Sequence, residues 1–358
     1  MKQRSFYLTL WMLILCAFAF TSCSDDDDDD VTVEEGIYVL NNGKFGSNNS
    51  TITYYDPVTQ ESDVTDVYAA QNLKGLGDSG QDILCNGKYI YLAVYGSSRI
   101  SVMTKDFVEV ASVALARDGQ PQSPRSLAFA DKKLYVSLYD GYVAKINTSD
   151  FVVEAQVKVG RNPEGLTVSN GKLFVANSGG MDYNTPVGYD KTVSVINLKT
   201  FEVEKTITVE INPTVLQTVD NGDVYCISMG NYGDVPNTLQ KIDPKNYTVT
   251  KVGEATEMVT DGKKLYLMYS QYDANWNQII SYPVYDAEKG AMLSEQWVKD
   301  ASAVVKPYKL SYEPTTERLY LTSSDYRNNG DVYVFKTDGT LETKFGAGLN
   351  PLKVVYVK

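Results

Sequence analysis

One short phrase recurs along the chain and constrains its fold more than anything else. An aliphatic residue is followed by an aromatic and then by another aliphatic or small apolar residue. It reads Ile37-Tyr38-Val39, Ile90-Tyr91-Leu92, Leu134-Tyr135-Val136, Leu173-Phe174-Val175, Val224-Tyr225-Cys226, Leu265-Tyr266-Leu267 and Leu319-Tyr320-Leu321, seven copies in all. An apolar strand precedes it across a tight turn, as in Gly165-Leu166-Thr167-Val168 before Asn170-Gly171-Lys172. Asn86-Gly87, Asn170-Gly171, Asn221-Gly222 and Asp261-Gly262 supply the positive φ that tight hairpins demand. A third strand ends in an acidic or lysine turn, as in Tyr54-Tyr55-Asp56-Pro57 and Lys241-Ile242-Asp243-Pro244. A fourth follows, as in Val203-Glu204-Lys205-Thr206-Ile207. The alternation has period two, and no segment offers a long amphipathic helix.

Four antiparallel strands repeated about every 45 residues are the signature of a β-propeller blade. The expected fold class is all-β, a seven-bladed β-propeller over residues 36–358. Asn350-Pro351 opens a blade in the manner of Asn162-Pro163 and Asn212-Pro213, but the chain stops one strand later. The first copy, at Ile37, starts with a second strand. The C-terminal strand is therefore expected to close the N-terminal blade, which removes two open sheet edges and argues against two separate domains.

Composition removes whole classes of chemistry. The 358 residues include no histidine, which excludes Ser-His-Asp and Cys-His catalysis and imidazole metal sites. A net charge of −12 argues against nucleic acid. Cys85 and Cys226 lie in apolar strand-like runs and are expected to be buried free thiols.

Residues 1–22 read as a signal peptide: a basic start with Lys2 and Arg4, an apolar stretch from Phe6 to Phe20, then small residues before Cys23. This resembles a bacterial lipobox, with Phe where Leu is usual, and the resemblance implies lipid attachment at Cys23. Ser24 and the run Asp25, Asp26, Asp27 to Asp30 follow. A like-charge run reads as a solvated tether over residues 23–35. It also resembles the export signal that sends lipoproteins of the Bacteroidetes to the outer face of the outer membrane, which implies an extracellular, lipid-anchored location.

The repeat phrase resembles the YVTN/YncE-like group of seven-bladed propellers. The stretches Asn41-Asn42-Gly43-Lys44-Phe45-Gly46, Asn177-Ser178-Gly179-Gly180 and Gly230-Asn231-Tyr232-Gly233-Asp234, together with the export signal, look like the surface lipoprotein propellers of gut Bacteroidetes. One branch is the BtuG-type proteins. That resemblance implies a binding protein rather than an enzyme, with no cofactor of its own. It would capture cobalamin outside the cell and pass it to a TonB-dependent outer-membrane transporter.

Strand order puts the second-to-third loops and the blade-to-blade loops on one face. These loops vary in length, and variable loops on a rigid scaffold are where binding is usually placed. The candidate ligand-binding residues are Asn42, Phe45, Tyr95, Arg99, Arg125, Tyr139, Asn177, Tyr183, Asn231, Tyr232, Tyr272, Trp276, Tyr326 and Arg327. Tyr and Trp cover apolar ring surface while donating hydrogen bonds, and Asn pairs with amides, which suits a corrinoid. Without histidine the protein cannot replace the cobalt's lower nitrogen ligand by an imidazole. Two rival readings share the scaffold: a surface glycan-binding propeller, and a hydrolase or lactonase using acids such as Asp82 and Glu164.

Overall fold

The computed structural model describes residues 35–63, 65–272, 275 and 278–358. The proposed signal, Cys23, Ser24, the aspartate run and Trp276 lie outside the described residues. Seven sheets follow one another along the chain. Blade 1 combines residues 36–63 with 351–357. Blades 2 to 7 span 80–114, 124–158, 163–208, 213–253, 257–294 and 307–349. Within each blade, neighbouring strands are antiparallel. The C-terminal strand Pro351–Val357 pairs with Gly36–Asn41, from Gly36 opposite Val357 to Leu40 opposite Lys353. The expected closure of the N-terminal blade is therefore present.

The repeat phrase explains the packing. In blade 2, Ile90 and Leu92 enter an apolar slab shared with blade 1, while Tyr91 enters the slab shared with blade 3. Leu134 and Val136 face back to blade 2, and Tyr135 faces blade 4. The partition repeats through Phe174, Tyr225, Tyr266 and Tyr320 to Tyr38. The core among the described residues is thus seven slabs, one between each pair of successive blades. The seven aromatics are all buried.

A second device marks the start of the inner strands. The residue before the strand has positive φ in blades 1, 2, 4, 5 and 7: Asn350, Ser79, Asn162, Asn212 and Lys306. The register then shifts by a bulge within the next two or three residues, in every blade except blade 6. A bulge re-aims side chains out of the ladder. Here it brings the residues after the bulge onto the wall of an axial channel.

Blade 6 departs most from the pattern. Its inner strand is only Glu257–Thr260, and its second strand runs long, Lys264–Tyr272, to pair with Gln278–Ser281 as an extra hairpin. The thiols of Cys85 and Cys226 are free, as expected. Cys226 is buried, which pushes its thiol up to about 12, whereas Cys85 is only partly buried because it ends its strand.

The aromatic position of the phrase is filled by phenylalanine in blade 4, so the ring rather than the hydroxyl carries the packing. Tyr135→Phe is expected to change stability by less than about 1 kcal/mol. Tyr135→Ala is expected to cost about 3–5 kcal/mol. Chemical denaturation of the two variants checks both.

Candidate functional site

An axial cavity of about 780 Å³ is lined by the inner strands of all seven blades. Its mouth at Asn42, Gln81, Arg125, Glu164 and Tyr308 lies toward the face of the second-to-third loops, where Tyr95 and Tyr139 adjoin Arg125 and Tyr326 adjoins Tyr308. Phe45, Tyr183, Tyr232, Tyr272 and Tyr326 sit at or near the loop tips of blades 1, 4, 5, 6 and 7, each between 61 and 71% exposed. These five exposed aromatics share the face of the second-to-third loops.

Local chemistry holds these tips out. Asn231 builds the turn of blade 5: its Oδ1 accepts from the N–H groups of Gly233 at 3.0 Å and Val235 at 2.9 Å. Asp325 does the same in blade 7, accepting from Arg327 N–H at 2.9 Å and Asn328 N–H at 2.8 Å. These bonds hold the Asp325 carboxyl well below its ordinary range. Tyr232 and Tyr326, one residue on, both have left-handed backbone, with φ of 58° and 61°. Such turns favour αL residues. In blade 1, Gly46 N–H donates to Asp78 at 3.0 Å and anchors the loop that carries Phe45. In blade 4, Arg161 pairs with Asp182 and donates to Gly188 O at 3.0 Å, which fixes the loop bearing Tyr183.

The rings form two arcs. Phe45 meets Tyr95 edge-on at 5.9 Å, and Tyr95 meets Tyr139 at 6.0 Å. On the other side Tyr183, Tyr189 and Tyr232 follow one another at 6.4 Å, and Tyr326 meets Tyr308 at 5.4 Å. Arg125 lies beneath the first arc, its guanidinium 5.5 Å from the Tyr95 ring centroid and 4.9 Å from that of Tyr139. It donates twice to Glu164, at 2.8 and 2.5 Å, and once to Gln81 at 2.9 Å. Burial works against its charge, but Glu164 more than offsets this and raises its pKa. Burial and the Glu164 carboxylate push the Tyr139 phenol upward.

Besides Asn231, three candidates do structural work. Asn177 is completely buried: its amide donates to Thr192 and Ser194, both at 3.0 Å, and accepts from Gly160 N–H at 3.1 Å. It does not line the cavity. Asn41 occupies the same place in blade 1, and Gly160 and Gly348 leave the room, since a Cβ there would lie 2.5 and 2.7 Å from the respective Asn. Arg99 turns away from the mouth. It pairs with Glu109 at 2.5 Å and donates to Leu76 O at 2.7 Å, under the short helix Val67–Asn72. Asn42 reaches the cavity but spends its amide on Gly80 O at 2.8 Å, tying blade 1 to blade 2. Arg327 is exposed at the blade 7 tip.

Tyr308, Lys309, Glu257, Lys353 and Gln81 line the mouth without having been singled out from the sequence. For Tyr308, Lys309 and Lys353 the signal that could have found them is the pair of residues following Lys306-Pro307 and Asn350-Pro351, whereas Gln81 and Glu257 follow no proline. Asp82 and Glu164, the acids considered for catalysis, face different partners. Asp82 accepts from Lys353 at 2.6 Å and from Leu127 N–H at 2.8 Å, while Glu164 holds Arg125.

The Arg99 cluster makes a testable claim. Burial alone would raise the Glu109 pKa, but Lys74, Ser101 and Arg99 override it and lower it from 4.5 to about 2. Its stabilising effect is therefore full above its unfolded value and lost as pH falls toward about 2. Glu109→Gln is expected to cost about 2–3 kcal/mol at pH 7 and much less at pH 3. Urea unfolding at the two pH values tests this.

Hydrazine synthase of Kuenenia stuttgartiensis is similar in fold, with a TM-score of 0.60 at 15% identity, covering 75% of this chain and 86% of that one. The Pan2 WD40 domain of Neurospora crassa gives 0.54 at 10% identity, with 76% and 79% covered. A chain of a mitotic checkpoint complex gives 0.55 at 13% identity, with 74% and 76% covered. At these identities the likeness concerns the fold alone. No curated protein matches the sequence. The family described as Domain of unknown function (DUF5074) matches residues 35–300, most of the chain. This seven-bladed β-propeller belongs to the DUF5074 family.

Proposed function

We propose that the protein is a surface lipoprotein that captures cobalamin at the aromatic-rimmed mouth and delivers it to a TonB-dependent outer-membrane transporter. The observation that carries this reading is the ring of exposed aromatic tips around a polar channel mouth. A corrinoid is broad, flat and apolar on its ring faces, with amides around its edge. The tips offer apolar ring surface with hydroxyl groups at the end, and Arg125, Glu164, Glu257 and Lys309 offer hydrogen-bonding partners below them.

The resemblance of the N-terminal segment to exported lipoproteins supports the location: an anchor at Cys23 followed by Ser24 and the aspartates, on the extracellular face of the outer membrane. We read the role as capture without catalysis and without a resident cofactor. Asp82 supports this, because its carboxylate is committed to Lys353, Leu127 N–H and Ser126, while Glu164 is ion-paired with Arg125. With no histidine in the chain, the vitamin would keep its own lower base.

Calorimetric titration of the full chain in detergent, with cobalamin and a glycan panel, tests the proposal. The expected result is saturable 1:1 binding of cobalamin and an absorption spectrum without protein-nitrogen ligation of cobalt. Tyr232→Ala and Tyr326→Ala are each expected to weaken binding about tenfold without lowering the melting temperature. Binding of a glycan in place of cobalamin would replace the proposal by its rival.

A further inference from the structure

The mouth of the channel is charged, yet balanced. Its lining includes Lys353, Asp82, Arg125, Glu164, Glu257 and Lys309. Each cation is paired with an acid of an adjacent blade: Lys353 with Asp82 at 2.6 Å, Arg125 with Glu164 at 2.5 Å, and Lys309 with Glu257. The first pair is a clamp, since Asp82 also accepts from Leu127 N–H at 2.8 Å and Ser126 Oγ at 3.2 Å.

The other two pairs keep hydrogen-bonding capacity facing the cavity. Among the described residues, the bonds of Arg125 to Glu164 and Gln81 use three of its five N–H groups, leaving one hydrogen on each Nη. Lys309 gives one ammonium hydrogen to Glu257. The side chains remain 25 and 15% exposed in the first pair, and 34 and 11% in the second. The pairs belong to blades 3–4 and 6–7, on opposite sides of the mouth. Each has aromatic company: Tyr95 and Tyr139 by Arg125, and Tyr308, 5.9 Å from Lys309 Nζ.

Each pair therefore sets a strong N–H donor beside a carboxylate acceptor, with no net charge. A primary carboxamide is the complement: its C=O accepts and its NH2 donates. A carboxylate in the same place would gain the cation but face Glu164 or Glu257. An ammonium would face Arg125 or Lys309. We propose that the channel mouth is a two-point carboxamide receptor. Arg125–Glu164 and Glu257–Lys309 each take one neutral primary amide from a ligand resting on the aromatic rim, and they reject the isosteric carboxylate. The proposal rests on the reading of this mouth as a ligand site, and its test separates the two.

In the first arm, the full chain in detergent is probed by ligand-observed saturation-transfer NMR with propionamide and with propionate at matched ionic strength. Propionamide is expected to bind, with propionate at least about tenfold weaker, as like-charge juxtaposition requires. Glu164→Gln and Glu257→Gln each leave a cation uncompensated, so each is expected to cut that preference about tenfold. Equal binding of the two probes, or no binding of propionamide, would overturn the receptor, and this wild-type comparison holds whether or not the variants fold. A preference unchanged in folded variants would overturn it too. In the second arm, cobalamin is compared with a derivative carrying one side-chain carboxylate in place of an amide. If cobalamin fails to bind while the propionamide preference and its response to the variants hold, the capture function fails and the receptor stands. If cobalamin and its carboxylate derivatives bind equally, the receptor fails and capture stands.

Discussion

The structure depends on how the second strand of each blade divides its side chains. Two aliphatic residues go to the slab on one side and the aromatic between them to the slab on the other. A strand alternates faces with period two, so neither face can be buried by its own sheet. Each blade needs a neighbour on both sides, and a row of such blades always has two unsatisfied ends. Joining the ends into a ring removes the problem. The strand Pro351–Val357 makes that joint within a sheet, through paired backbone, and not merely by packing one blade face on another. Val354 adds the slab between blades 7 and 1, and Val355 the slab between blades 1 and 2.

Closure also dictates the mouth. The inner strands present their unpaired edge to the axis, and polar ties run between neighbours around it. Lys353 to Asp82 joins blades 1 and 2, and Asp82 to Leu127 N–H joins 2 and 3. Arg125 to Glu164 joins 3 and 4, and, nearer the opposite face, Thr167 to Thr218 at 2.9 Å joins 4 and 5 and Asp220 N–H to Gly262 O at 2.7 Å joins 5 and 6. Lys309 to Glu257 joins 6 and 7, and Val354 N–H to Ser311 at 3.1 Å returns to blade 1. The floor of the mouth is thus made by the scaffold, and the rim by loops that Asn231, Asp325, Asp78 and Arg161 hold in place. The side chains of the floor have positions set by blade geometry.

The fold was legible because its signal is repeated. A single aliphatic-Tyr-aliphatic triplet says little, but seven at blade spacing, with a start that lacks a strand and an end that supplies one, leave few alternatives. The aromatic tips were legible for a different reason: Tyr or Phe beside Gly and Asn in a loop of variable length has little apolar surface to hide in. The packing of Asn177 and Arg99 was not legible because their environments are tertiary. Asn177 looked like loop chemistry, yet its partners are Thr192 and Ser194 on the next strand. Arg99 is covered by a helix whose six residues are too few to read by periodicity. Tyr308 and Lys309 follow a proline as Arg125 does, and extending that phrase to Lys306-Pro307 reaches them. Glu257 has no such marker, because blade 6 lacks the proline and the bulge.

A mouth with six charges in it needs a reason not to bind ions indiscriminately, and the pairing across blades supplies one. Removing charges from water is costly, and losing one partner of a part-buried pair strands the other. Arg125 and Glu164 therefore hold each other more firmly than a passing ion can hold either. Because the partners come from different blades, breaking the pair would also loosen the belt that joins blades 3 and 4. A neutral group with a donor and an acceptor side by side escapes both penalties. It adds hydrogen bonds to the outer hydrogens of the guanidinium and the remaining lone pairs of the carboxylate, and leaves the pair intact. The interaction that steadies the ring thereby also sets which chemistry the mouth admits.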